Sequence, residues 1–226
     1  MRAALESLLR ARHLDVTLTP AGPGGEAFAP AAEGRVAPTG RADLDAALGG
    51  GFRRGHLSEI AGPPSSGRSR LAADALAAAT ARGEAAALVD PCDTFDPAAA
   101  AARGVALGQL LWVRPSTGLD HNTSRALKAF SLILQAGGFG LVVLDLADAA
   151  PAAIRRFPFT TWMRLARIVE GSDTAAVLIG ASHLARSAGG ATVALDAPSV
   201  RWQGTTARAR VFAGLDPAPR VIGGRR

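Results

Sequence analysis

The chain has a single cysteine, Cys92, which excludes an internal disulfide and suits a reducing compartment such as the cytoplasm. Lysine is nearly absent too: Lys128 is the only one, so arginine supplies almost all of the 25 basic residues. There is no tyrosine, and aromatic residues make up only 5% of the chain. No uninterrupted apolar run reaches the roughly 18 residues a membrane span needs, so no membrane partner is expected. The opening Met1-Arg2-Ala3-Ala4-Leu5-Glu6 has no apolar block followed by a cleavage site, which predicts no secretory leader. The four histidines (His13, His56, His121, His183) lack metal-ligand spacing, which argues against a zinc site.

What is present fits a soluble α/β protein: 48% hydrophobic residues, 26 glycines, and 226 residues in all, enough for one sizeable domain with a short appendage. The formal charge of +6 has two readings. A basic surface can meet nucleic acid or an acidic protein, while arginine-for-lysine usage with abundant alanine also follows from a GC-biased coding sequence.

Residues 1–18 read as a separate amphipathic helix, with Leu5, Leu8, Leu9 and Arg12 at three- and four-residue spacing. Residues 19–38 are a Pro/Gly-rich linker. A helix on such a tether must bury its stripe on its own core or on another molecule, so these four residues are candidates for partner binding or self-association. Residues 39–216 alternate helix and strand, and 217–226 read as a basic tail. Strands over 56–61, 85–90, 110–113, 141–145 and 175–180 are near-continuous apolar runs, the mark of a mostly parallel central sheet flanked by helices. Asp96-Pro97 has the cap-then-proline form of a helix start. After Gly190 the pattern changes to short strands of a C-terminal β-meander.

Between the strand at 56–61 and the next helix lies Gly62-Pro63-Pro64-Ser65-Ser66-Gly67-Arg68-Ser69. Its glycine spacing and Ser69 match the phosphate-binding pattern G-x-x-x-x-G-K-[ST], in which backbone N–H groups face a phosphate and the hydroxyl holds Mg²⁺. Arg68 stands where the lysine belongs. A guanidinium is broader and longer than an ammonium and cannot occupy the same slot as a point charge. Weakened or lost catalysis is expected, with weakly bound ATP/Mg, no nucleotide at all, or a purely structural turn as the open alternatives. Asp145, closing Leu141-Val142-Val143-Leu144, has the form of the acid that orients a Mg²⁺-bound water.

These residues carry a resemblance. Thr39 to Ile60, Gly62-Pro63-x-Ser65-Ser66-Gly67, Ala87-Leu88-Val89-Asp90 with Phe95-Asp96-Pro97, and Gly137 to Asp145 resemble the RecA recombinase family over roughly residues 39–185. That resemblance implies a RecA-like P-loop core, nucleotide contacts from Gly62, Pro63, Ser65, Ser66, Gly67, Arg68, Ser69 and Asp145, and Mg²⁺ on Ser69 and Asp145 only if nucleotide binds. It also implies that Cys92 stands where the family has the glutamate that activates water, with Asp93 as the weaker substitute. A thiol cannot replace a carboxylate as that base. The stretches around Arg155-Arg156 and at 183–190 resemble shortened DNA-binding loops, making Arg155, Arg156, Trp162, Arg164 and Arg186 the DNA-contact candidates.

A short RecA-like chain without the catalytic pair resembles the ImuA-type accessory proteins of bacterial translesion mutagenesis, and Phe157 to Arg167 is similar to a segment of that group. The resemblance implies a scaffold contacting a Y-family polymerase homologue and RecA, with single-stranded DNA as a further partner. The alternatives are an active DNA-stimulated ATPase and a nucleotide-binding switch without turnover. Trp112 is expected in the core and Trp202 half-buried, whereas Trp162 is open between core and base stacking. His183 is read as a strand-end polar residue, with a phosphate-sensing role as the alternative.

Overall fold

The computed structural model describes residues 36–115, 122–185, 190–196, 199–206, 208–216 and 219–222. The N-terminal stripe (Leu5, Leu8, Leu9, Arg12) and Arg186 therefore lie outside the described residues.

Eleven strands and six α-helices follow in the order β1 (Val36–Ala37), α1 (Ala42–Leu48), β2 (Phe52–Arg53), β3 (Leu57–Ala61), α2 (Arg68–Ala81), β4 (Ala86–Val89), α3 (Pro97–Ala102), β5 (Leu110–Val113), α4 (Asn122–Ala136), β6 (Leu141–Asp145), α5 (Pro151–Arg155), α6 (Phe159–Val169), β7 (Ala175–Gly180), β8 (Thr192–Leu195), β9 (Ser199–Gln203), β10 (Val211–Asp216) and β11 (Pro219–Ile222), counted among the described residues. Seven strands form one sheet in the order β11-β8-β3-β7-β6-β4-β5. Every pairing in it is parallel except β11 with β8.

Continuous apolar strands arise because both sheet faces are covered. On β6, Leu141 and Val143 join α2 residues Leu71, Ala75 and Leu76 in one core. Val142 and Leu144 point the other way, toward Phe130 and Ile133 of α4 and Trp162 and Leu165 of α6. The Asp96-Pro97 helix start is seen in atomic terms: the Asp96 carboxylate accepts from the N–H groups of Ala98 (2.9 Å) and Ala99 (3.1 Å).

An arginine fastens the amino ends of the strands. Arg54 donates to the carbonyls of Gly140 (3.1 Å) and Asp173 (2.8 Å) and to the Glu84 carboxylate (2.7 Å). A Cβ at Gly140 would lie 2.0 Å from Glu84 Oε2, so any other residue there would displace the carboxylate from Arg54. Part of the basic excess is thus spent inside the fold.

Three expectations change. The 19–38 linker ends early, since Val36–Ala37 pairs with Phe52–Arg53 and Ala37 is buried. The basic tail proposed for 217–226 contains strand β11, which closes the sheet edge against β8 and is tied to it by the Arg220–Asp196 ion pair at 2.9 Å. The stretch read as a shortened loop after Asp145 holds helix α5. The strands expected after Gly190 are present but divide: β8 and β11 join the main sheet, while β9 and β10 pair with each other as a separate hairpin.

Candidate functional site: a phosphate loop occupied by its own arginine

Gly62, Asp90 and Asp145 sit just past or at the carboxyl ends of β3, β4 and β6, the edge where open α/β sheets place their sites. The loop at 62–67 curls as its glycines permit. Gly67 has φ 96° and starts α2, and Ser65 also adopts a left-handed conformation (φ 63°). A Cβ at Gly62 would meet the Leu195 carbonyl and the Ser66 hydroxyl, both at 2.6 Å. The loop is closed by Ser66 N–H donating to the Pro63 carbonyl at 3.2 Å. Ser66 is fully buried, and its hydroxyl has no partner among the described residues.

Arg68 does not project from this loop. Its side chain is only 6% exposed, and Nη1 donates to the carbonyl of Gly62, the loop's first glycine, at 2.8 Å. Nη2 lies 3.6 Å from Asp148 Oδ1. The longer, forked side chain can reach back across the loop in a way an ammonium on a lysine stem does not reproduce, which is the physical content of the lysine-to-arginine change. Ser69, one residue on, is exposed.

The acids around the loop are engaged or perturbed. Asp145 Oδ1 accepts from the Ala147 N–H at 2.9 Å. Burial pushes its carboxyl up to about 6; the Ala147 hydrogen bond opposes this, the charges of Asp90 and Asp148 add to it, and Arg68 opposes it. Asp90 is buried, with Oδ2 accepting from the Phe95 N–H at 2.9 Å and Oδ1 without a partner among the described residues.

Cys92 is half-buried. Burial first, then the neighbouring Asp90, Asp145 and Asp148 charges, raise its thiol to about 11. A thiol held neutral at physiological pH is neither a base nor a nucleophile. Asp93, the alternative base, has its carboxylate on Arg114 at 2.5 Å, and that guanidinium lies 4.5 Å above the Trp112 ring.

The loop keeps the left-handed turns at Ser65 and Gly67 that its spacing calls for, and Ser69 is exposed at its end. Arg68, at the lysine position, is bonded to the loop's own carbonyl, and Cys92 offers a neutral thiol where the resemblance implies a carboxylate. Among the described residues, no group of three His, Cys, Asp or Glu side chains gathers as a metal site.

Sequence reading missed Glu59. It is buried in β3, and its Oε1 accepts the N–H of Leu184 (3.2 Å) and that of Ala185. Its Oε2 is 3.4 Å from His183 Nδ1. Ser58 Oγ accepts from Ala191 N–H at 3.2 Å, so adjacent β3 side chains pin both ends of the segment that follows β7. The one available signal was a carboxylate interrupting an apolar strand. His183, three residues past the end of β7, thus lies beside Glu59.

The DNA-contact candidates separate. Arg155, Arg156 and Arg164 are exposed, Arg164 on α6. Trp162 is 5% exposed and packs edge-on against Phe157, so it is corrected from base-stacking candidate to core residue. Trp112 packs against the core and Phe95, as expected. Trp202, expected half-buried, is 52% exposed. On the outer face of α6, Phe159 and Met163 are exposed and, with Arg167, Glu170, Gly55 and His56, border a concavity of about 250 Å³ that no residue of the phosphate loop lines.

A parallel sheet with a phosphate loop after β3 and an acid at the end of β6 defines a P-loop α/β protein. Within that class, residues 29–154, more than half of the chain, match the RecA N-terminal domain, and the chain belongs to the RecA family. It is 40% identical over 113 residues to protein RecA of Lactobacillus delbrueckii subsp. bulgaricus, covering 50% of this chain and 33% of that protein. It is 43% identical over 112 residues to protein RecA of Chlorobaculum parvum, covering 49% of this chain and 31% of that protein. The chain thus spans about a third of the length of these curated relatives. A crystal structure of the RadB recombinase shares the fold, with a TM-score of 0.52 at 21% identity, covering 71% of this chain and 83% of that one.

Proposed function

We propose that this RecA-family chain does not turn over ATP and acts in bacterial DNA damage tolerance as an accessory protein, through contacts with a Y-family polymerase homologue and RecA itself. The observation that carries the first half of this reading is the Arg68 guanidinium bonded to the Gly62 carbonyl, which commits the loop's cation to the protein. The neutral Cys92 thiol supports it independently.

The second half rests on the resemblance of residues 157–167 to the ImuA-type proteins, and it is supported by the exposed Phe159 and Met163 beside exposed Arg164 and Arg167 on α6. Large apolar side chains exposed on one helix face and rimmed by charge suit a protein contact. Single-stranded DNA is the further partner, through Arg155, Arg156 and Arg164.

A nucleotide-binding switch without turnover is the second reading, favoured by the unpartnered, buried Ser66 hydroxyl inside an otherwise formed phosphate loop. Calorimetric titration with Mg²⁺-ATP, alongside phosphate release with and without single-stranded DNA, separates these readings. The accessory reading expects no release in either condition. Binding without release supports the switch, and DNA-stimulated release that is lost in Asp145→Ala establishes an ATPase and refutes both.

A further inference from the structure

We propose that the β9–β10 hairpin is a stacking platform for single-stranded nucleic acid, separate from the basic residues of α5 and α6. Among the described residues the two strands pair as a sheet with each other and with no other strand, Trp202 standing directly opposite Phe212. All five residues of β9 are exposed. Val200 is 46%, Trp202 52%, Val211 66% and Phe212 57% exposed, so half of the exposed large apolar side chains of the described chain lie on this one element. By strand alternation Val200, Trp202 and Phe212 share one face and Val211 lies on the other. An isolated two-stranded hairpin is marginal in water, and apolar side chains exposed together on one face mark a binding surface.

Charge and ring geometry identify the ligand class. The hairpin carries three arginines (Arg201, Arg208, Arg210) against one acid, Asp216 at the end of β10. Arg208 and Arg210 are exposed and lie in the stretch that joins β9 to β10. The Trp202 and Phe212 rings stand edge to face, with centroids 6.2 Å apart and planes at 83°. In an edge-to-face pair neither ring is stacked face to face by the other, so the exposed indole can still stack on a flat ring. A ligand that offers flat apolar rings joined by anions satisfies both features at once. Single-stranded nucleic acid has this chemistry, and its binding to aromatic and arginine surfaces is sequence-tolerant for the same reason.

The test uses the full chain and labelled twenty-nucleotide dT and dA oligonucleotides, followed by fluorescence anisotropy from about 20 to 200 mM salt. Wild type is expected to bind both at low salt, with quenching of tryptophan emission. Trp202→Ala with Phe212→Ala is expected to weaken binding roughly tenfold or more and to remove the quench. Arg208→Ala with Arg210→Ala is expected to lower the slope of log affinity against log salt by about 1.4, for two lost phosphate contacts on a single strand. All four side chains are exposed, so thermal melting is expected to match wild type and serves as the folding control. Wild-type affinity in the aromatic double variant would place the oligonucleotide elsewhere and overturn the proposal. So would an absence of oligonucleotide binding combined with loss of a protein partner in that variant, which would make the hairpin a protein contact. Neither outcome depends on whether ATP is hydrolysed.

Discussion

Replacing Arg68 by methionine keeps most of the side chain's apolar stem and removes only the guanidinium. In the wild-type chain that group donates to the carbonyl of buried Gly62 at 2.8 Å and is itself only 6% exposed. A hydrogen bond from a charged donor contributes about 1.5–3 kcal/mol, and its loss leaves a loop carbonyl without its partner. The 3.6 Å approach to Asp148 adds little, because that carboxylate is half-exposed and screened by solvent. A loss of about 2 kcal/mol in a chain of this size lowers the melting temperature by roughly 4–8 °C. Thermal denaturation by circular dichroism without nucleotide measures it directly. An unchanged melting temperature would mean that the guanidinium is not seated in the loop, and the case for an arginine-occupied phosphate site would fail with it.

Asp145 makes a pH prediction whose sign follows from its raised carboxyl. The folded chain holds a proton there up to about pH 6, while the unfolded chain releases it near 3.8, so Asp145 lowers stability as pH rises through that window. Asp145→Asn, whose amide oxygen can still accept from Ala147, is expected to raise stability by on the order of 3 kcal/mol at pH 7.5 and to make little difference at pH 4, read from paired melts. Cys92, with its thiol near 11, is expected to alkylate with iodoacetamide at pH 7.5 at least a hundredfold slower than a free thiol and to reach that rate only on unfolding. Glu59→Ala strands the N–H groups of Leu184 and Ala185. It is expected to cost about 2–4 kcal/mol and to speed amide exchange across 183–191 before the rest of the sheet. Met163→Asp on exposed α6 is expected to abolish capture of the polymerase homologue with melting unchanged; retained capture would remove α6 from the contact.

The parts of this protein legible in its sequence are those set by neighbours along the chain. Apolar runs at 141–145 and 175–180 announce strands covered on both faces, since each residue's surroundings repeat with the strand period. The phosphate loop follows from glycine spacing, because the backbone conformations at Ser65 and Gly67 are local events. The Asp96 cap is local in the same sense. Even the burial of Trp162 was written in its spacing to Leu165 and Val169, although the basic residues around it point toward a surface role.

Tertiary structure decided the rest, because the deciding partners are distant in sequence. Arg68 finds Asp148 80 positions on, and Glu59 finds Ala185 126 positions on. Pro219–Ile222, basic and short, reads as a tail until β8 offers it an unpaired edge, where backbone hydrogen bonding outweighs the weak local preference. Trp202 and Trp112 both lie on short strands with apolar neighbours. One is exposed and the other packed because β9 pairs only with β10, whereas β5 is an edge strand of the covered main sheet. No local pattern carries that difference, since solvent exposure of a strand is set by which other strands and helices fold against it.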